Sequence, residues 1–345
     1  MNIVIVTDAW LPQVNGVVRT LQTVGEELRQ LGHDVRYVTP DQFRTVPMPT
    51  YPEIRLALFP ARRLARLIDA AQPCAIHIAT EGPLGFAARR YCLRRGFPFT
   101  TAVHTRFPEY IHARTRIPLR PTYAVMRWFH GGATRVMVAT ESMRRELESW
   151  GFSNIVAWTR GVDTDLFRPV PDKAAVLDLP RPIWVYVGRV AVEKNIGAFL
   201  DLDLPGTKLV VGDGPQLNEL KRKYPAAVFV GAKFGVDLAR HYAASDVFVF
   251  PSRTDTFGLV LLEALACGLP VAAYPVTGPN DVVGGSDVAV LDEDLRRAAL
   301  AALGIPAARC RAYALGYSWR ASAEQFARNL KPFRDTPAEV PQAAE

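Results

Sequence analysis

Two hydrophobic periods alternate along this chain. Short runs in which nearly every position is apolar and often β-branched are followed by longer stretches with apolar residues every three to four positions. In the first half the short runs predict strands over Asn2 to Thr7, Asp34 to Val38, Ala75 to Ile78, Phe99 to Val103 and Arg135 to Val138. The longer stretches predict helices over Val17 to Leu31, Ala61 to Ala71, Leu84 to Arg95, Thr122 to Gly131 and Ser142 to Trp150. Strands that alternate with helices of this length build a parallel sheet covered on both faces.

The pattern breaks at Gly161 to Pro171, where proline and turn residues suit a hinge, and then restarts. Strands are predicted over Ile183 to Val187, Lys208 to Val211, Ala227 to Val230, Val247 to Phe250 and Pro270 to Tyr274, with helices between them. The expectation is α/β: two Rossmann-like, doubly wound domains facing each other, with ligands in the cleft beyond the carboxyl ends of the strands. The expected domains are 1–168, 169–317 and a segment 318–345. In that last segment a helix from Tyr317-Ser318-Trp319 to about Leu330 returns to the first domain, and a frayed tail starts at Pro332.

Composition narrows the class. A length of 345 residues exceeds what one core usually supports, and 49% apolar with 22% charged residues is enough to fill two. No apolar run approaches the roughly 20 residues of a membrane-spanning helix. Met1 leads straight into the first strand, which reads as a mature cytosolic start. Cys74, Cys92, Cys267 and Cys310 are scattered without a CxxC pair, so neither a disulfide framework nor a zinc site is expected.

The strongest local signal runs from Thr254 to Val271: a polar cap region, an apolar helix, a glycine stop and a buried strand. Within that helix stands one carboxylate, Glu263, which needs a strong partner if buried. Two readings fit it, an ion pair with a core arginine or a carboxylate that accepts ligand hydroxyls. Gly258 at the helix start favours the second, because it lets a ligand approach exposed N–H groups.

This segment has an acid, Asp255, eight residues before Glu263, with Phe257-Gly258 between them and Ala266-Cys267-Gly268-Leu269-Pro270-Val271 after. It resembles the retaining GT-B glycosyltransferases of family 4. The resemblance extends in order through Gly16-Val17, His104, Gly161-Val162-Asp163, Gly188-Arg189 with Glu193-Lys194, and Gly212-Asp213-Gly214-Pro215. It implies that Glu263 binds the nucleotide ribose and that residue 255 addresses the transferred sugar. The family's usual residue there is glutamate, and Asp255 is one methylene shorter. The peptide N–H groups of Phe257, Gly258 and Leu259 are placed to meet sugar oxygens or diphosphate.

By the same resemblance Arg189 and Lys194 stabilise the leaving diphosphate, where fixed cations lower the barrier; taken alone, each would read as a surface charge. Gly16 and Val17 form a loop that closes over the diphosphate, with Asn15 as helix cap, and His104 lies near the donor sugar. No GxGxxG fingerprint is present, which counts against a dehydrogenase. For Gly231-Ala232-Lys233 a site for the nucleotide base and an ordinary strand-to-helix turn fit equally. His33, His77, His112, His130 and His241 are read as structural. Asp201-Leu202-Asp203 reads as a solvated turn, so metal-independent transfer with no cofactor is expected. Arg253 and Arg160 suit either an acidic sugar or a structural role.

Charge is unevenly spread over the chain. Residues 1–170 hold 22 arginines, no lysine and 14 acids, a net +8, whereas residues 171–345 hold 19 basic and 20 acidic residues, a net −1. Arg62, Arg63 and Arg66, then Arg89, Arg90, Arg94 and Arg95, then Arg106, Arg114, Arg116, Arg120 and Arg127 cluster in the first half. In the last group they interleave with residues such as Tyr110, Ile117, Val125 and Trp128. A membrane surface, a nucleic-acid patch and genomic arginine enrichment compete as explanations. Because the family implies that the first domain takes the acceptor, the expected partners are a nucleoside-diphosphate sugar, a lipid acceptor and an anionic membrane surface at the cytoplasmic face, not nucleic acid. A soluble or polysaccharide acceptor is the alternative; a catalytically silent nucleotide- or nucleic-acid-binding module is a more remote one.

Overall fold

The computed structural model describes residues 1–13, 15–48, 51–255 and 257–334, without the side chains of Tyr51, Pro52, Glu53, Tyr110, Ala113 and Arg114. Thr256 of the apolar-helix motif, the Tyr110 and Arg114 side chains of the basic cluster, and the tail from 335 onward thus lie outside the described residues. The chain forms two compact units, one of residues 1–159 with 320–345 and one of residues 160–319. Residues 160–168, expected in the first domain, belong to the second unit. Arg311 holds them there, donating to the carbonyls of Phe167 (2.6 Å) and Thr164 (2.8 Å).

In the first unit the elements run β1 (Asn2–Val6), α1 (Gly16–Gln30), β2 (Asp34–Val38), β3 (Thr45–Met48), β4 (Tyr51–Ala57), α2 (Ala61–Ala71), β5 (Ala75–Ile78) and α3 (Pro83–Arg95). They continue with β6 (Thr100–Val103), α4 (Phe107–Thr115), α5 (Leu119–His130), β7 (Arg135–Val138), α6 (Glu141–Ser149) and β8 (Ile155–Ala157). The sheet order is β2-β1-β5-β6-β7-β8 with every pairing parallel, and β3 and β4 form a separate antiparallel hairpin. Val4, Val6, Ile76 and Ile78 from the sheet meet Leu64, Ile68, Leu84 and Ala88 from α2 and α3 in one core. The hairpin, α4 and β8 are not legible in the periodicity. They are short, and β8 is a three-residue edge strand.

The second unit runs β9 (Ile183–Val187), α7 (Ile196–Leu200), β10 (Thr207–Val211), α8 (Leu217–Lys223), β11 (Val228–Phe229), α9 (Gly235–Ala244) and β12 (Val247–Phe250). Then follow α10 (Leu259–Ala266), β13 (Val271–Ala273), α11 (Thr277–Val283), β14 (Ala289–Leu291), α12 (Leu295–Ala302) and α13 (Ala307–Ala314). Its sheet, β11-β10-β9-β12-β13-β14, is again wholly parallel. Trp184, Tyr186, Val210 and Val249 pack with Phe199 and Ala298. The edge strand β14 goes beyond the five expected strands.

The last helix, α14 (Trp319–Asn329), packs on the first unit. Phe326 meets the rings of His77 and Trp158 (centroids 4.9 Å from each), and Asn329 donates to Ala157 O. The expected fraying at Pro332 does not begin there. Phe333 stacks on Phe97 at 4.6 Å and its N–H donates to Cys74 O at 2.9 Å, because an aromatic residue gains more from that contact than from water.

Candidate functional site

In the second unit the loops after β9 and β12, which are neighbours in the sheet, are tied together at the strands' carboxyl ends. Lys194 Nζ donates to Asp255 Oδ1, Asn195 Nδ2 donates to Pro251 O (3.1 Å), and Thr254 Oγ1 donates to Glu193 O (3.3 Å). Asn195 is in the left-handed region at φ 53°, which turns the chain into α7 and aims its amide across the gap. Beneath, the buried Tyr186 donates its hydroxyl to Arg189 O at 2.9 Å, fixing the loop from which the exposed Arg189 side chain projects. Burial, helped by the negative Asp255 and Glu193, holds the Tyr186 hydroxyl well above the usual phenol range, so it stays a donor.

Asp255 is largely shielded, with 18% of its side chain exposed. Its Oδ1 is engaged by Lys194, while Oδ2 is buried and has no hydrogen-bond partner among the described residues. Gly258 follows at φ +80°, a conformation that turns the chain into α10 and that side chains with a Cβ disfavour. Phe257 is buried, and Gly258 and Leu259 are half-buried. One turn into the helix Glu263, 3% exposed, accepts a hydrogen bond at its Oε2 from the hydroxyl of Tyr242 on α9, 3.0 Å away. Gly231 follows β11, two strands from β9 in the sheet, its carbonyl accepting from Gly212 N at 2.9 Å, and Lys233 is half-buried.

The remaining site residues named from sequence are in the first unit. Asn15 caps α1 as expected, its Oδ1 accepting from the N–H groups of Val17 and Val18 at 3.0 Å each. These two amides are therefore satisfied internally, and Gly16 stands exposed at the helix start. His104, just past β6, is half-buried and edge-on to Trp158 at 5.7 Å. Tyr186, Asn195 and Tyr242 were not singled out from sequence. Their types and spacing mark only a core strand, a turn and a helix face, and their roles depend on contacts across 56 residues for Asn195 and 21 for Tyr242.

Other candidates have defined partners or exposure. Arg253 lies 3.7 Å from the Tyr274 ring centroid and pairs with Glu293 at 2.9 Å. Asp201 accepts from the Tyr224 hydroxyl (2.6 Å) and Asp203 is fully exposed, both on the turn before β10, at the opposite end of the sheet from Asp255. All four cysteines are buried free thiols; burial pushes Cys92, Cys267 and Cys310 up to about 12, which leaves them unreactive.

Residues 14–166 match the model of Glycosyltransferase Family 4, and residues 181–304 match that of Glycosyl transferases group 1. Over 308 residues the chain is 31% identical to a GDP-mannose-dependent alpha-mannosyltransferase of Mycobacterium tuberculosis, covering 82% of this chain and 81% of that one. The chain belongs to the family 4 glycosyltransferases. This glycosyltransferase is also 27% identical to the alpha-monoglucosyldiacylglycerol synthase of Streptococcus pneumoniae, over 88% of this chain and 78% of that one. Its fold, two Rossmann-like units of the GT-B type, matches sucrose-phosphate synthase from Thermosynechococcus elongatus with a TM-score of 0.76 at 23% identity, covering 94% of this chain and 97% of that one.

Proposed function

We propose that this glycosyltransferase moves a sugar from a nucleoside-diphosphate donor to a lipid acceptor, with retention at the anomeric carbon and without a metal ion. The observation that carries the donor half is the Asp255 carboxylate. One oxygen is fixed by Lys194, and the other is buried without a partner among the described residues, ready to accept from a sugar hydroxyl. Glu263, one turn into α10, takes the ribose hydroxyls, and the amides of Phe257, Gly258 and Leu259 meet sugar or phosphate oxygens. Arg189 and Lys194 neutralise the diphosphate as its bond to the anomeric carbon breaks, which supplies the charge stabilisation a metal would otherwise give. Gly231 and Lys233 would meet the base, and the remaining candidates, Gly16, Val17 and His104, belong to the first unit. The departing diphosphate takes the acceptor proton on the same face.

The acceptor half draws on the charge of the first unit and on the relatives. The mannosyltransferase relative is named for GDP-mannose and the synthase relative for a diacylglycerol product. Only part of the arginine cluster is free to meet a membrane. Arg89 donates to the carbonyls of Phe129 and Trp128, Arg106 pairs with Glu146 at 2.6 Å, Arg127 donates to Trp150 O and Arg95 pairs with Asp69. Arg90 and Arg94 remain exposed beside Phe86, Leu93 and Trp128, which are 40%, 49% and 57% exposed. Apolar residues bordered by cations suit an anionic lipid surface, at about 1 kcal/mol per cation. Among the described residues no helix is long and apolar enough to cross a membrane.

The test is a screen of nucleotide sugars for diphosphate release with and without diacylglycerol vesicles, in the presence of EDTA, followed by NMR of the product's anomeric coupling. Lipid-stimulated release with an anomer matching the donor supports the reading. Release that needs a divalent cation, an inverted product, or no response to lipid rejects the corresponding part.

A further inference from the structure

The first sheet has its own reversal of strand order, between β1 and β5, and open α/β sheets take ligands beyond the strand ends at such a point. The loop leaving β5 is held rigidly there. Thr80 Oγ1 accepts from Asp8 N at 2.7 Å and donates to Asp8 Oδ2 at 3.0 Å, while the Asp8 carboxylate accepts from the Leu84 and Gly85 amides at 2.9 and 3.2 Å. A Cβ on Gly82 would stand 2.3 Å from Asp8 Cγ, so only glycine lets the loop close over this carboxylate.

Between Thr80 and Gly82 stands Glu81. Its Oε1 lies 3.1 Å from Nε2 of His130, which is wholly buried, and His130 Nδ1 lies 2.9 Å from Thr101 Oγ1. A carboxylate accepts only, so Nε2 carries the proton and the imidazole fixes the orientation of Glu81. Glu81 Oε2 has no hydrogen-bond partner among the described residues. Among the described residues Glu81 is the one ionisable side chain lining a hollow of about 250 Å³ whose walls include Phe86, Phe107, Val125, Met126 and Phe129. Phe107 and Val125 are 45% and 54% exposed among the described residues, which is costly apolar surface.

We propose that this hollow is the acceptor subsite. Glu81 Oε2 accepts a hydrogen bond from a hydroxyl on the acceptor's head, and the aromatic and aliphatic walls take the apolar part of the same molecule. The ligand class is a hydroxyl-bearing glycerolipid or glycolipid. One carboxylate in an apolar wall matches such a molecule and mismatches a wholly polar sugar, which would leave the walls wet and its other hydroxyls unpaired. The hollow adjoins a groove that shares Phe86 and carries Arg90 and Arg94, where the anionic surface around the lipid would rest. This assignment rests on the lipid-acceptor reading above.

The experiment measures acceptor and donor KM separately for the full chain, using dioctanoylglycerol in mixed micelles and the donor found in the screen. Glu81→Gln keeps the side chain's size and removes its charge. Val125→Trp fills the hollow from a half-exposed position and leaves Glu81 intact. Both should raise the KM for dioctanoylglycerol at least tenfold, with donor KM within twofold and an unchanged melting temperature. If the wild type glycosylates dioctanoylglycerol and neither variant moves its KM, the hollow is not the subsite although the lipid reading stands. If the wild type transfers only to water-soluble acceptors, the lipid reading falls and the subsite falls with it.

Discussion

The two units obey one rule with different strand orders. In the second, the order reverses between β9 and β12, and the loops leaving those strands bring Lys194 and Asp255 together. In the first, the reversal falls between β1 and β5, and the loops leaving those strands bring Asp8 and Glu81 together. The second site is rich in charge and part-exposed, with a carboxylate that keeps one oxygen unused among the described residues. The first is braced by a carboxylate whose acceptors are already engaged and is walled by aromatic side chains. One arrangement suits a charged, hydroxylated donor, and the other suits a molecule with one polar end.

The largest test of that contrast removes the second unit's exposed chemistry. Asp255→Ala should lower kcat by about 10²- to 10³-fold, the size expected when a group engaged in the transition state is lost. Lys194→Ala should cost less, and the double variant should be clearly worse than Asp255→Ala alone, since Lys194 meets the diphosphate while Asp255 meets the sugar. A double variant no worse than Asp255→Ala would show that Lys194 acts only by holding Asp255. Turnover near normal in Asp255→Ala would remove this carboxylate from the site.

The first unit should respond to pH instead. Burial raises the Asp8 carboxyl from 3.8 to about 6 against the opposing pull of the Leu84 and Gly85 amides. The folded state thus binds this proton more tightly than the unfolded chain does. The stabilisation is fully present below the unfolded value of 3.8 and is lost as pH rises to about 6, a change of about 3 kcal/mol in this group's contribution. Urea unfolding from pH 4 to 7 should therefore show a downward stability slope that Asp8→Asn lacks. The same slope in both proteins would assign it to other groups. Donor binding by the second unit should not follow this titration.

The two sites also differ in how far they can be read from sequence. Asp255, Gly258 and Glu263 stand within nine residues on one loop and helix, so their spacing alone is informative. Glu81 and its bracing residues are separated: Asp8 and Thr80 are 72 positions apart, and His130 is 49 from Glu81. None of these contacts exists until the sheet is built. His130 read as structural for the same reason, since a buried histidine on a helix gives no sign of the carboxylate it supports. The fold follows the same division. Long strands and helices show their period, whereas α4, β8, β14 and the hairpin are too short or too near an edge to do so. The arginine excess was legible as a sum, but the sum hid how many guanidinium groups are spent on backbone carbonyls and internal carboxylates.

A middle-sized effect belongs to Glu263. Glu263→Gln keeps the Tyr242 hydroxyl bonded but weakens the bond to ribose hydroxyls, because a neutral acceptor replaces a charged one. Donor KM should rise about tenfold, equivalent to about 1.4 kcal/mol, with acceptor KM unchanged. A shift in acceptor KM alone would contradict the division of labour between the units.

The smallest effect separates backbone strain from contact. Gly258 at φ +80° and Gly231 at φ +74° share the left-handed conformation, so alanine at either should cost about 1 kcal/mol in strain. They differ in their surroundings. A Cβ on Gly258 meets Leu261 Cδ1 at 3.2 Å and Phe250 Cζ at 3.5 Å, whereas a Cβ on Gly231 meets nothing within 4 Å. Both variants should melt a few degrees lower, Gly258→Ala slightly more. Gly258→Ala should raise donor KM severalfold and more than Gly231→Ala does, because Gly258 turns the chain into α10 beside Asp255. Equal donor KM for the two variants would mean that the ligand does not approach the backbone at the start of that helix.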